Sequence, residues 1–495
     1  MIRPFAGIIT ASLLLGACSL GPAQPTATVA LNLRDGAVDI PTDKALVLTL
    51  SRPAPPSAVA SAFLVYPATE GTMEVEPGDR LFTWRPDHGW LELTEYSVLL
   101  TTFRDSAGQA VPGRRWSFLT TVVPRVVDVA DGAGAAVADG GGVDQGGSLK
   151  LSFNVPMDTG KTAFTGNGAT LAASWSDDLR SATLALATIP VGPLEVDLAH
   201  GRDALGHDAV AWKLKIDVSL VIPIHTTHLA APALIQIPND GYGARPQVGL
   251  QAADMVFEYL TEGSITRLTG LYTDVPDVVG PIRSGRRISF RLTRHYHGVL
   301  FLSGLSNDAD HLLHADPVPA IFETTGPFYR DRSRVAPNNL FVSGPGVAYL
   351  AGGARLPDFA IPKGHPALSG GDPGSAFDVA EHRSHYSYDP QTGTYGKVED
   401  GQPMMDVGLG QPIKAFMVIV MHAHEFLVPD IESGCCTHGR DFDLDAGGAA
   451  DFWYRGAHYS GAWSAADRAT PFSFKLADGN PVVLPKGMVW VDVVS

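Results

Sequence analysis

The stretch "VVGPIRSGRRISF", residues 278–290, places Arg283, Arg286 and Arg287 around a Ser284–Gly285 step, ahead of a segment with helical spacing. Guanidinium groups at the start of a helix share their volume with free backbone N–H groups and the positive end of the helix dipole. Such a volume favours an anion. The planar fork of an arginine matches a carboxylate or phosphate with two parallel hydrogen bonds. "ADMVFEYLTEGSITRLTGLYT" reads as two strands joined around Gly263 and supplies Glu258 and Glu262. Strand alternation puts both carboxylates on one face, where they either neutralise the arginines or leave them to a ligand. Glu262 and Arg267 can also pair across the hairpin. "VLFLSG" reads as a buried strand whose carboxyl end opens into the crevice where α/β sheets bind ligands, placing Ser303, Gly304, Ser306 and Asn307 at its mouth. The same argument puts Asn239 and Asp240 at the end of "ALIQIPND". A second basic group, "FYRDRSRVAPNNLFVSG", adds Tyr329, Arg330, Arg332, Arg334, Asn338 and Asn339. That mixture of aromatic, Arg and Asn side chains suits a ligand-binding loop, with a solvated loop as the alternative.

Other constellations are less specific. His422, His424, Cys435, Cys436 and His438 offer N and S ligands for zinc, but adjacent cysteines are not the usual Cys-x-x-Cys spacing. A strained bond between neighbours, or two free thiols, fits an oxidising compartment equally well, and no metal is assigned. "DTGKTAF" contains Gly-Lys-Thr, yet position 155 is Val where a phosphate loop requires Gly. The sequence holds no Gly-x-Ser-x-Gly elbow and no His-Glu-x-x-His, and no cofactor is assigned.

These residues need a scaffold, and 495 residues are more than one core usually organises. A net charge of −16 argues against attraction to nucleic acid or an anionic membrane surface. The opening "MIRPFAGIITASLLLGACSL" has Arg3, an apolar run too short to span a bilayer, and then small residues, the pattern of a secretory signal. Leu15-Gly16-Ala17-Cys18 is similar to the lipobox of bacterial lipoproteins, which implies acylation at Cys18 (palmitate is the expected acyl group), an extracytoplasmic location and a membrane partner held through that lipid. Ser19 after Cys18 favours export to an outer membrane where one exists.

After residues 1–18, segment 28–122 shows alternating apolar runs such as "ALVLTLS" and "YSVLLTT" between turn residues, the signature of a β-sandwich. Segment 123–220 repeats it: "ALVLTLSRP" parallels "SLKLSFNVPMD", and "FRDSAGQAVPGRRWSF" parallels "GRDALGHDAVAWKLKI". From 228 to 362 strands alternate with helical segments, which predicts an α/β or α+β domain, and 383–495 is β-rich with many Gly turns. Both β-sandwich segments resemble bacterial Ig-like domains, through "DGAVDIPTDKALVLTLSRP" and "RDSAGQAV", and that class implies spacers or adhesive modules.

"IPNDGYGARPQVGLQAADMVFEYLTEGSITRLTGLY", "VGPIRSGR" and "FYRDRSRVAPNNLF" resemble the recurring motifs of the YerB-like lipoprotein family, a domain of unknown function. "YSYDPQTGTYGKVEDGQPMMDV" and the stretch from "GAHYSGAW" to "MVWVDV" resemble the companion domain of that family. The resemblance implies a lipid-anchored envelope protein and adds Arg245 to the ligand-binding set. Where the family pattern leads one to expect a His after the Pro of the Arg-rich loop, this chain has Asn338, which speaks against catalysis there. The resulting expectation is a non-enzymatic envelope lipoprotein that binds an anionic wall polymer or an envelope protein. The alternative is a hydrolase or transferase acting on wall glycan or peptide, with Glu258 or Glu262 as acid/base.

Overall fold

The computed structural model describes residues 26–241, 243–324, 326–353, 361–431 and 438–495. The expected lipid site Cys18 and the pair Cys435 and Cys436 lie outside them. The chain divides into two compact units, Met1–Pro124 and Arg125–Ser495.

In the first unit, one four-stranded sheet runs Val29–Leu31, Leu46–Leu50, Leu81–Pro86, Gly71–Val75, and a second runs Ala37–Ile40, Arg114–Thr120, Glu95–Leu100, Phe63–Tyr66. Alternation turns Leu46, Leu48 and Leu50 inward, onto a core shared with Trp84, Trp90, Tyr96 and Phe118. The second unit begins with a similar pair of sheets, of four and five strands, over residues 126–219. The sequence repeat extends to hydrogen bonds. Asp105 Oδ1 accepts from the N–H groups of Ala107 and Gln109 at 3.0 and 2.8 Å, and Asp203 Oδ1 accepts from those of Leu205 and His207 at 2.9 Å each. An Asp that holds its own following turn in this way explains the repeated Arg-Asp-x-x-Gly.

The remainder is organised by one eleven-stranded mixed sheet. Its principal elements in chain order are β1 (Thr226–Pro238), β2 (Met255–Leu260), β3 (Thr266–Pro276), α1 (Arg287–His295), β4 (Val299–Leu302), α2 (Asn307–Ala315), β5 (Ala320–Phe322), α3 (Gly344–Ala351), the hairpin β6 (Ser384–Asp389) and β7 (Thr394–Glu399), then β8 (Met417–His422), β9 (Gly447–Tyr454), β10 (Ala457–Ser464) and β11 (Val489–Val494). The sheet order is β5-β4-β1-β3-β2-β11-β8-β9-β10, ending in Asp372–Pro373, and Ser473–Leu476 also pairs with β10. The segment from residue 383 onward is β-rich as expected, but β8 to β11 do not close a sheet of their own. β11 pairs in parallel with β2, in the register Glu258 opposite Asp492, so both parts of the chain build one core. Periodicity identifies a strand without naming its partner, which is why the sequence suggested two separate domains here.

The strands "MVFEYL" and "VWVDVV" are buried on both faces, as a sheet covered on each side requires. One face carries Phe257, Tyr259, Val491 and Ile419 against Ile288, Phe290 and Leu292 of α1. The other carries Val256, Trp490 and Val418 against Val347 of α3 and Tyr386 and Tyr395 of the β6–β7 hairpin. β1, β2, β4, β5, β8 and β11 all run in one direction, so their carboxyl ends share an edge of the sheet. The chain is therefore strongly β-rich, with several sheets and more than one domain. Among the described residues, no helix is long and apolar enough to cross a membrane.

Candidate functional site

The shared strand-end edge gathers most of the residues singled out in the sequence. Asn239 and Asp240 follow β1, Glu262 and Arg267 flank the β2–β3 turn, Ser303 follows β4, and the loop Arg283–Arg286 enters α1. Two loops are zipped together there. Gly285 N–H donates to Gly304 O at 2.9 Å, and Ser303 N–H donates to Arg283 O at 3.0 Å. Arg286 is the N-cap residue of α1, and its backbone N–H donates to Ser289 Oγ at 3.0 Å.

Three guanidinium groups meet on this edge. Arg286 pairs with Glu262 and returns Nη1 to the carbonyls of Ser284 and Gly285 at 3.3 and 3.1 Å. Arg267 donates to Ser284 O at 2.8 Å. Arg283 lies 3.8 Å from Asp240. The Nε atoms of all three arginines are buried without a hydrogen-bond partner. Burial, then the like charge of Arg286, pulls the Arg267 guanidinium down to about 9, so it remains charged near neutral pH. Burial also lowers Arg283, with Asp240 opposing and Arg286 reinforcing the fall. Burial pushes Glu262 upward, but Arg286 and Arg267 outweigh it and hold its carboxyl below the usual range. Three cations thus face two carboxylates.

Of the two pairing readings left open by the sequence, the structure has Glu262 meeting Arg286, while among the described residues Glu258 forms its ion pairs with Lys397 and His382. Glu262 lies beyond the end of β2 at Leu260, where alternation no longer holds, so the two glutamates do not share a face. Arg287 also departs from its neighbours, pairing with Asp308 at 3.2 Å and Asp441 at 3.4 Å. Arg245 reaches Asp400 at 2.5 Å and lines a cleft of about 530 Å³ with Gly241, Pro246, Gln402 and Met405. Arg383 also pairs with Asp400, at 2.5 Å, and these two arginines hold that carboxyl at about 2. The Arg-rich loop docks beside this cleft, with Arg334 donating to the carbonyls of Pro246 and Ala244 at 2.5 and 3.5 Å. Arg330 is occupied by Asn339 and Glu323, each at 2.9 Å, and Tyr329 stacks on Phe341. Asn338 is buried, its backbone N–H on Val335 O at 3.1 Å.

Glu258 enters a second, sealed cluster that sequence reasoning missed. Lys397 Nζ donates to Glu258 and to Glu399 Oε2, the latter at 2.7 Å, and lies 4.5 Å over the Trp490 ring. Trp490 Nε1–H donates to Glu258 Oε2 at 3.2 Å. Asn239 Nδ2 bridges Glu258 at 3.0 Å, Glu399 at 2.7 Å and Thr266 at 2.9 Å. His382 Nδ1 meets Asp492 at 2.6 Å, and Tyr386 donates to Asp492 at 2.8 Å. Burial opposes the His382 imidazolium, but Glu258 and Asp492 outweigh it and raise its pKa. Glu258, His382 and Asp492 place potential metal-ligand atoms within 4.8 Å of one another, but the Lys397 ammonium already occupies Glu258. A signal was present in the sequence: a lone acid in an otherwise apolar strand, Glu258 in "MVFEYL" or Asp492 in "VWVDVV", demands a buried partner. Glu258 is fully buried, which leaves it no access to a wall polymer as an acid or base. Of the His and Cys residues to which no metal was assigned, His438 Nδ1 lies 2.8 Å from Val428 O and His422 lies 3.5 Å from Asp451.

Comparison with known proteins follows this architecture. Residues 223–355 match the N-terminal domain, and residues 376–491 the C-terminal domain, of a protein family of unknown function, DUF3048. A protein of Bacillus subtilis (strain 168) named "Putative lipoprotein YerB" is 24% identical over 273 residues, covering 52% of this chain and 80% of that protein. The crystal structure of YerB from B. subtilis matches with a TM-score of 0.44 and 22% identity, over 53% of this chain and 90% of the other. The N-terminal part of the bacterial S-layer protein SbsC matches with a TM-score of 0.17 and 10% identity, over 39% of this chain and 44% of the other. The paired domains, in order and together spanning half of the sequence, make this chain a member of the YerB-like DUF3048 family.

Proposed function

We propose that this chain is a non-enzymatic cell-envelope lipoprotein, held at a bacterial cell membrane or outer membrane through lipid on Cys18, whose DUF3048 module binds an anionic wall component at the strand-end edge. The observation that carries this reading is the charge imbalance: among the described residues, Arg267, Arg283 and Arg286 face the two carboxylates Glu262 and Asp240, and each arginine keeps an unpartnered Nε. Buried cations in excess of their carboxylates are costly, and an anion at the exposed end of Arg283 supplies the missing charge. Arg283, the most open of the three, makes first contact. Ser284 follows it in the chain, Ser303 N–H donates to its carbonyl, and Gly241, next to Asp240 in the chain, lines the cleft at Arg245. The two β-rich domains, of Ig-like kind, serve as spacers between lipid and module.

The test is retention of the detergent-solubilised full chain on fractionated wall polymers, with released product monitored in parallel. Retention should fall by about tenfold or more in Arg283→Ala, the value of one charged hydrogen-bond pair. Unchanged retention in that variant removes the arginine edge from the account. Product release by the wild-type chain favours an enzyme instead.

A further inference from the structure

Asn239 comes from the N-terminal part of the module and Lys397 from the C-terminal part, yet both bind the same two carboxylates. Glu399 accepts from Asn239 Nδ2 on Oε1 and from Lys397 Nζ on Oε2, each at 2.7 Å. Glu258 repeats this bridge, with Asn239 on Oε1 at 3.0 Å and Lys397 on Oε2. The amine and the carboxamide are therefore one carboxylate group apart. Gln247 Nε2 donates to Asn239 Oδ1 at 3.2 Å, where negative charge would develop if the carboxamide carbon were attacked. The rings of Trp490 and Tyr386 cover Nζ at 4.5 and 5.7 Å, and Asn239, Gln247, Glu258, Lys397 and Glu399 are all at most 2% exposed. An amine, an amide carbonyl with a donor on its oxygen, two proton carriers and a site closed to water are together the components of an acyl transfer.

We propose that Lys397 and Asn239 join in an intramolecular isopeptide bond, formed by the fold itself without cofactor or partner. Lys397 passes a proton to Glu399, and the free Nζ swings past the carboxylate oxygen to attack Asn239 Cγ. Gln247 steadies the oxyanion. Glu258 takes a second proton from Nζ and delivers it to Nδ2, the Cγ–Nδ2 bond breaks, and ammonia leaves. One Nζ–Cγ bond replaces one Cγ–Nδ2 bond, nothing is oxidised, and Glu399 retains the ammonium's first proton. Burial, reinforced by Glu258, raises Glu399 against the pull of Lys397, while Glu258 and Glu399 raise Lys397 against its own burial, so the neutral pair is a minor state that loss of ammonia drains forward. The link would tie β7 to the end of β1, closing the two parts of the module covalently.

Peptide mapping by mass spectrometry of the full-length chain, denatured and digested with trypsin, tests this directly. The expected product is a peptide containing Asn239 joined to one in which Lys397 is uncut, their combined mass lighter by one ammonia. Lys397→Arg, which keeps the cation, should yield no joined species, and Glu399→Gln should yield far less. Recovery of the two wild-type peptides separate and at full mass overturns the proposal. That result needs no variant to fold and leaves the anion-binding reading untouched.

Discussion

Glu262 sits at a single point on which two arginines depend, and its carboxyl lies below the usual range because Arg286 and Arg267 outweigh its burial. A depressed carboxyl contributes stability that is present above its unfolded pKa and lost as pH falls through the lower folded value. The acid limb of the stability profile should therefore flatten in Glu262→Gln, as read from denaturant midpoints at successive pH values below the ordinary carboxyl range. An unchanged acid limb would show that Glu262 does not sense its neighbours. At this scale the arginines were legible in the sequence because their spacing around Ser284–Gly285 is local, and so was the Glu262 option. Lys397 was not legible, since a lysine on a strand is ordinarily at the surface and nothing local announces a buried partner 139 positions away.

The β6–β7 hairpin acts as a unit, pressing Tyr386, Lys397 and Glu399 onto the second face of the sheet. His382 Nδ1 lies 2.6 Å from Asp492 and 3.9 Å from Glu258, so its imidazolium has two buried carboxylates to face. His382 has a raised folded pKa, so its contribution is complete below the unfolded value and is lost as pH rises through the folded one. The melting temperature should fall as pH rises above 6.5, the ordinary histidine value, and His382→Gln should abolish that slope while lowering stability at acid pH. A wild-type slope that persists in the variant contradicts this assignment. The hairpin β2–β3 was legible from alternation around Gly263, and the β-rich character of the segment holding β6–β7 from its turn residues, whereas the packing of β6–β7 on the sheet depends on contacts that no local pattern encodes.

For the molecule as a whole, the β-rich domain over residues 126–219 is fastened to the DUF3048 module instead of merely preceding it. Arg455 reaches Asp217 Oδ1 and Ser219 Oγ, both at 3.1 Å, Lys486 reaches Asp144 at 3.0 Å, and His365 lies 3.3 Å from Ser219. Combined Arg455→Ala and Lys486→Ala substitution should speed limited proteolysis between residues 219 and 226, and an unaltered cleavage rate would show that apolar packing alone holds the joint. The repeat of the two β-rich domains was visible in the sequence, but this fastening was not, because its ion pairs join positions more than two hundred apart. A chain of net charge −16 that keeps a cationic excess on one sheet edge points to a local, shape-bound anion and not to diffuse attraction. Equilibrium titration of the retained wall fraction against the full chain, in parallel with Arg283→Ala and with Arg85→Ala on the first β-rich domain, measures that edge most directly. A loss of about tenfold or more is expected in Arg283→Ala and none in Arg85→Ala. Equal affinity in all three proteins would contradict it.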